Sequence, residues 1–128
     1  MLKSKNPKKK IMVVDDESDQ ILSVKQIFEY DDEYEIVTAK NGMECLKLLY
    51  DDINPNLILL DVMMPKMNGL EVFKRIRENK KWNHIPVIII TAMGGKEKIT
   101  DEEISPDDYI EKPYDVVDLK KRVKHFLN

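Results

Sequence analysis

Four short stretches of this 128-residue chain end apolar runs with groups that can do chemistry. Ile11-Met12-Val13-Val14 is followed by Asp15-Asp16, Leu57-Ile58-Leu59-Leu60 by Asp61, and the run from Val87 to Ile90 by Thr91-Ala92. Tyr109-Ile110 leads through Glu111 to Lys112-Pro113. Three carboxylates held close together repel, and some stay protonated unless a cation neutralises them. An oxygen-rich acidic cluster suits a hard cation such as Mg²⁺, which keeps several waters and takes one or two carboxylates. A phosphoryl group placed there would have its charge balanced by the metal, Lys112 and the Thr91 hydroxyl. Positioning and charge neutralisation are most of phosphoryl-transfer catalysis. Asp61 is then the nucleophile, because carboxylates form acyl phosphates.

Each group also has an ordinary reading. An Asp after a strand is commonly a turn or cap residue, Thr91 can simply finish a strand, and Lys112 can be a surface charge. Their joint occurrence at four strand ends, in order along the chain, is what argues for a site.

The elements that must position these groups follow from periodicity. Ile11 to Val14 and Leu57 to Leu60 are continuous apolar runs, as in strands buried on both faces. Glu35 to Ala39 reads as a shorter strand, Val87 to Thr91 as a fourth opened by Pro86, and Tyr109-Ile110 as a fifth. Between them, Ile21, Val24 and Phe28 mark a helix over Ser18 to Tyr30. Asn41-Gly42 is a turn, after which Met43, Leu46 and Tyr50 mark a second helix. Leu70, Phe73 and Ile76 mark a third. The last helix carries Val116, Leu119, Val123 and Phe126, with Asp115 as N-cap and Asp118 completing a capping box. Gly94 to Ser105 is the weakest stretch, with only Ile99 and Ile104 as anchors for a short fourth helix. Strands alternating with helices imply βαβ units, a parallel sheet and right-handed crossovers. In such sheets, sites form outside the carboxyl ends of the strands, where all four stretches end.

Length and composition fit one α/β domain with a real core, over residues 10–128 after a basic lead-in over 1–9. A net charge of −3 gives no bulk attraction to nucleic acid or an anionic membrane. Lys3, Lys5, Lys8, Lys9 and Lys10 read as a solvated approach to the first strand rather than a nucleic-acid arm. One cysteine, Cys45, makes no internal disulfide, which fits a reducing cytoplasm, and reads as a small buried helix residue. No apolar run approaches a membrane span, and the N-terminus lacks the apolar core of a signal peptide.

The sequence resembles the response-regulator receiver family of two-component signalling. The matching blocks are Val13-Val14-Asp15-Asp16-Glu17, Leu60-Asp61-Val62-Met63-Met64-Pro65-Lys66-Met67-Asn68-Gly69, Ile90-Thr91-Ala92, and Asp107-Asp108-Tyr109-Ile110-Glu111-Lys112-Pro113-Tyr114. The resemblance implies a single flavodoxin-like (βα)5 domain, a parallel five-stranded sheet of order 2-1-3-4-5 with helices on both faces. That order brings the first strand beside the third. It implies Asp61 as phosphoacceptor and Mg²⁺ as cofactor, held by Asp15, Asp16, Asp61 and the Met63 backbone carbonyl. Thr91, Ala92 and Lys112 would bind and sense the phosphoryl group, Tyr109 would be the aromatic switch residue, and Lys112-Pro113 a cis peptide. The implied role is a regulatory phosphoacceptor that catalyses only its own phosphorylation and dephosphorylation. The donor would be a sensor histidine kinase or phosphotransfer protein. The downstream effector is undefined, and direct nucleic-acid or membrane binding by this domain is not expected. Partners or a second copy would meet the face built from segment 94–105, the fifth strand and the last helix. Ser105-Pro106 replaces a small pair common in the family, and this departure falls on that same face. Met63 and Met93 would flank the path of water to the acyl phosphate. A thioether is a weak acceptor, so a comparatively long-lived phosphorylated state is expected.

Three other readings are weaker on the residues. A phosphatase of the haloacid-dehalogenase type needs an acid two residues after its nucleophilic Asp, and here that position is Met63. A flavodoxin's first loop cradles a phosphate, whereas Asp15-Asp16-Glu17-Ser18-Asp19 would repel one. A purely structural module of the same fold would be expected to have lost one of the key groups, and none is missing.

Overall fold

The computed structural model describes residues 7–62, 69–92 and 106–127. Among the described residues there are five strands and four helices: β1 Lys9–Val14, α1 Ser18–Glu29, β2 Tyr34–Ala39, α2 Gly42–Tyr50, β3 Leu57–Asp61, α3 Gly69–Glu78, β4 Val87–Thr91, β5 Asp108–Glu111 and α4 Val116–Leu127. The helix expected within Gly94 to Ser105 lies outside the described residues.

The strands form one parallel sheet in the order β2-β1-β3-β4-β5. The apolar strands are buried throughout in β3 and β4, as sandwiching between helices requires. Alternate residues serve two cores. Met12, Val14, Ile58, Leu60, Val87 and Ile89 pack on one face with Cys45 and Leu49 of α2 and with Phe73 and Ile76 of α3. Ile11, Val13, Leu57, Leu59, Ile88, Ile90 and Ile110 pack on the other with Val24 and Phe28 of α1 and with Leu119 and Val123 of α4.

Several local readings are revised. The basic lead-in does not stop short of the sheet: β1 takes in Lys9 and Lys10, and the Lys10 N–H donates to Asn56 Oδ1 at 2.7 Å. Asn41 is the N-cap of α2, with its side chain accepting from the Glu44 N–H at 2.8 Å, so Gly42 belongs to the helix rather than to a turn. The buried face of α2 is Cys45, Leu46 and Leu49, while Met43 and Tyr50 are exposed. Asp115 does cap α4, accepting from the Val117 N–H at 2.8 Å. Asp118, however, turns to Arg122, 3.0 Å away, instead of reaching back to close a capping box. Cys45 is fully buried, and burial pushes its thiol up to about 12.

Candidate acidic site at the carboxyl ends of the strands

Strand alternation decides which side chains meet. Asp15 and Asp61 each stand two residues beyond a member of the second core, Val13 and Leu59, and Lys112 stands two beyond Ile110. All three therefore project to the same side of the sheet. The β1–β3 register pairs Val14 with Leu60, so Asp15 follows directly beside Asp61. The β4–β5 register pairs Thr91 with Glu111, and the Lys112 N–H donates to the Thr91 carbonyl at 2.7 Å. These bonds set the lysine next to the acids without any help from its own side chain.

The geometry matches. Lys112 Nζ lies 2.9 Å from Asp61 Oδ2 and 3.4 Å from Asp15 Oδ2. Asp15 and Asp61 are 5% and 4% exposed, whereas Asp16 faces solvent. One carboxylate oxygen from each of Asp15, Asp16 and Asp61 lies within 4.8 Å of the others. Burial pushes Asp15 up to about 6, opposed by the Glu17 N–H, which donates to its carboxylate at 3.0 Å, and reinforced by the charge of Asp61. Burial works against the Lys112 ammonium, but the bonds and charges of Asp61 and Asp15 outweigh it and hold the group above its usual range.

Such a donor set fits a hard divalent cation: all oxygen, crowded, and open to water through Asp16. Lys112 already supplies one positive charge to Asp61, and three carboxylates against one ammonium leave an excess of negative charge for an ion to neutralise.

Thr91 is 1% exposed and stands two residues beyond Ile89, so it points to the opposite face from Asp61. Tyr109 pairs with Ile89 and packs half-buried on that same face. Burial raises its phenol. Ala92 is exposed beside this edge and lines a cleft with Lys112, Pro113 and Tyr114. The Lys112-Pro113 bond is cis. Met63 and Met93 lie outside the described residues.

Two participants escaped the sequence reading. The Glu17 amide holds Asp15 through a turn that any residue type could supply, so composition gives no sign of it. Tyr114 is half-buried beside the site. Its phenol is raised by burial, lowered again by Lys112 and raised by Asp15. Its position directly after Lys112-Pro113 was the available clue.

The model of the response regulator receiver domain matches residues 11–124. The chain belongs to that family. Receiver domains are regulatory units of two-component systems that take phosphoryl groups from histidine kinases. The receiver is 41% identical to a probable transcriptional regulator, ycf27, of Cyanophora paradoxa, over 94% of this chain and 48% of that protein. It is 36% identical to histidine kinase P4 of Formosa agariphila, over 94% of this chain and 9% of that one. The chain thus spans about half the length of the curated regulators it matches. Among solved structures, the response regulator TrrA of Thermotoga maritima, in complex with Mg²⁺ and beryllofluoride, is 36% identical with a TM-score of 0.80. That match covers 92% of this chain and 98% of the other. No helix among the described residues is long and apolar enough to cross a membrane.

Proposed function

We propose that this receiver, over residues 10–128, is a Mg²⁺-dependent switch that accepts a phosphoryl group on Asp61 and signals through Thr91 and Tyr109. The observation that carries the reading is Asp61 itself. It is a buried carboxylate at the end of β3, 2.9 Å from an ammonium and within a trio of acids. Burial strips the carboxylate of competing water, and Lys112 together with Asp15 fixes where its oxygens point.

In the transfer, an oxygen of Asp61 attacks the phosphorus of a phosphohistidine. The O–P bond forms as the N–P bond breaks, and the imidazole leaves with the electron pair and takes up a proton. Asp15, Asp16, Asp61 and the Met63 carbonyl would hold Mg²⁺, which when bound would supply charge neutralisation for the transfer. Lys112 moves its hydrogen bond from the Asp61 carboxylate to the incoming phosphoryl oxygens. The Thr91 hydroxyl turns toward the same oxygens, and Ala92 offers its backbone N–H. Thr91 and Tyr109 share a face of adjacent strands, so withdrawal of the hydroxyl leaves space for the Tyr109 ring to turn inward. The output face then changes on the side of β5 and α4, where an effector or a second copy would dock. Met63 and Met93, which flank the phosphorylation motifs in sequence, would shield the acyl phosphate from water. Met63→Asn with Met93→Glu should therefore speed its loss, and an unchanged rate would refute the shielding.

The test uses acetyl phosphate as a small donor. Intact mass should rise by one phosphoryl group in Mg²⁺ and stay unchanged with a chelator or in Asp61→Asn. Undiminished labelling of that variant would overturn the assignment.

A further inference from the structure

We propose that Gly69 is a positioning residue for phosphorylation: its missing side chain lets the start of α3 approach the end of β3 and fixes the backbone that carries Asp61. The inference rests on Asp61 being the phosphoacceptor. Gly69 is buried and opens α3, seven residues after Val62. A Cβ built on it would lie 2.5 Å from Val62 Cα and 2.6 Å from the Asp61 carbonyl oxygen, with Val62 Cγ1 at 3.1 Å.

The two nearest atoms are backbone, so no change of rotamer relieves the contact. The shortfall from the 3.4 Å where ordinary contact begins is 0.9 Å to Val62 Cα. Either α3 retreats or the end of β3 moves by about that amount. The strand end is held from its other side, because the Val62 N–H donates to the Ile90 carbonyl at 3.2 Å. Movement there drags the Asp61 carboxylate away from Lys112. A misplacement of about 1 Å in a reacting group can cost on the order of 100-fold in rate. Glycine is thus needed here for close approach rather than for an unusual φ.

The test compares wild type, Gly69→Ala, Leu70→Ala and the double variant Gly69→Ala with Val62→Ala. Three quantities are read: phosphorylation rate with acetyl phosphate, the Mg²⁺ dissociation constant by calorimetric titration, and Tm. Gly69→Ala should keep its circular dichroism spectrum, lose about 10- to 100-fold in rate and bind Mg²⁺ several-fold more weakly. Leu70, half-buried on the same turn of α3, should on truncation lower Tm and leave the rate unchanged. The Val62→Ala change should not restore the rate, because the clashing atoms are backbone. Should Gly69→Ala unfold in buffer, trimethylamine N-oxide recovers the compact state for the same measurements. A Gly69→Ala rate within two-fold of wild type, a rescue by Val62→Ala, or an equal rate loss in Leu70→Ala overturns the proposal. A wild type that takes no phosphate instead sinks the phosphoacceptor reading beneath it.

Discussion

An ionised Asp15, 5% exposed with Asp61 beside it, opposes folding wherever no divalent cation is bound. Burial raises its pKa from 3.8 to about 6, so the folded state holds the proton more tightly than the unfolded chain. Its contribution to stability is complete below pH 3.8 and is lost as the pH rises through about 6. In metal-free protein at pH 7, Asp15→Asn should therefore stabilise by about 1–3 kcal/mol. The gain should shrink to nothing near pH 4. Added Mg²⁺ should reverse the order, raising the Tm of wild type well above that of the variant. Thermal melts of both proteins at the two pH values, with and without the ion, check this; a variant less stable than wild type without metal at pH 7 would contradict it. The acids and Lys112 were legible in the sequence because each ends an apolar run, and strand ends are where such sheets gather their chemistry. The Glu17 amide was not, since a backbone N–H has no residue-type signature. Tyr109 was legible from its motif, but its sharing of a face with Thr91 emerged only with the register of β4 and β5.

At the scale of elements, Arg77 near the end of α3 ties the helix to the entry of β5. Its guanidinium donates to Asp107 Oδ2 at 2.7 Å and to the Ile85 carbonyl at 2.8 Å, and stacks 4.8 Å from the Phe73 ring. The same Asp107 oxygen accepts from the Val87 N–H at 2.7 Å, so one carboxylate joins α3, β4 and the approach to β5. Both side chains are partly exposed, which moderates the energy. Arg77→Met and Asp107→Asn should each cost about 1–2 kcal/mol. The double variant should cost less than their sum. Urea unfolding of the three variants measures the coupling, and strict additivity would contradict the clasp. Such a contact joins residues 30 positions apart and leaves no local pattern to read. Helix faces were legible where apolar residues recur at helical spacing, as at Phe73 and Ile76. They misled in α2, where Met43 and Tyr50 are apolar by type but face outward. Tyr50 finds a partner instead in Trp82, with ring centroids 4.8 Å apart.

Over the whole molecule, two cores share one parallel sheet, and the acidic site and the Thr91–Tyr109 face lie on opposite sides of its carboxyl edge. In the proposed switch, phosphorylation of Asp61 would reach the second face through Thr91 of β4 and Tyr109 of β5. Beryllofluoride with Mg²⁺ should shift backbone amide signals from Thr91 to Tyr114, including Tyr109 and its strand neighbours. Shifts confined to residues touching the mimic would show a phosphoacceptor without a switch. Fold class, strand order and the convergence of Asp15, Asp16, Asp61 and Lys112 were legible in advance, because buried parallel strands and a dense motif constrain each other. The face toward effectors was not, because it depends on exposed side chains whose partners lie outside the chain. The most direct measurement of the central claim is borohydride reduction of the phosphorylated protein followed by peptide mass mapping. Hydride converts an aspartyl phosphate to homoserine and marks the residue that held it. The account predicts homoserine at position 61 alone, formed only in the presence of Mg²⁺; homoserine at Asp15 or Asp16, or acid-labile phosphate on His84 or His125 with residue 61 unmarked, would contradict it.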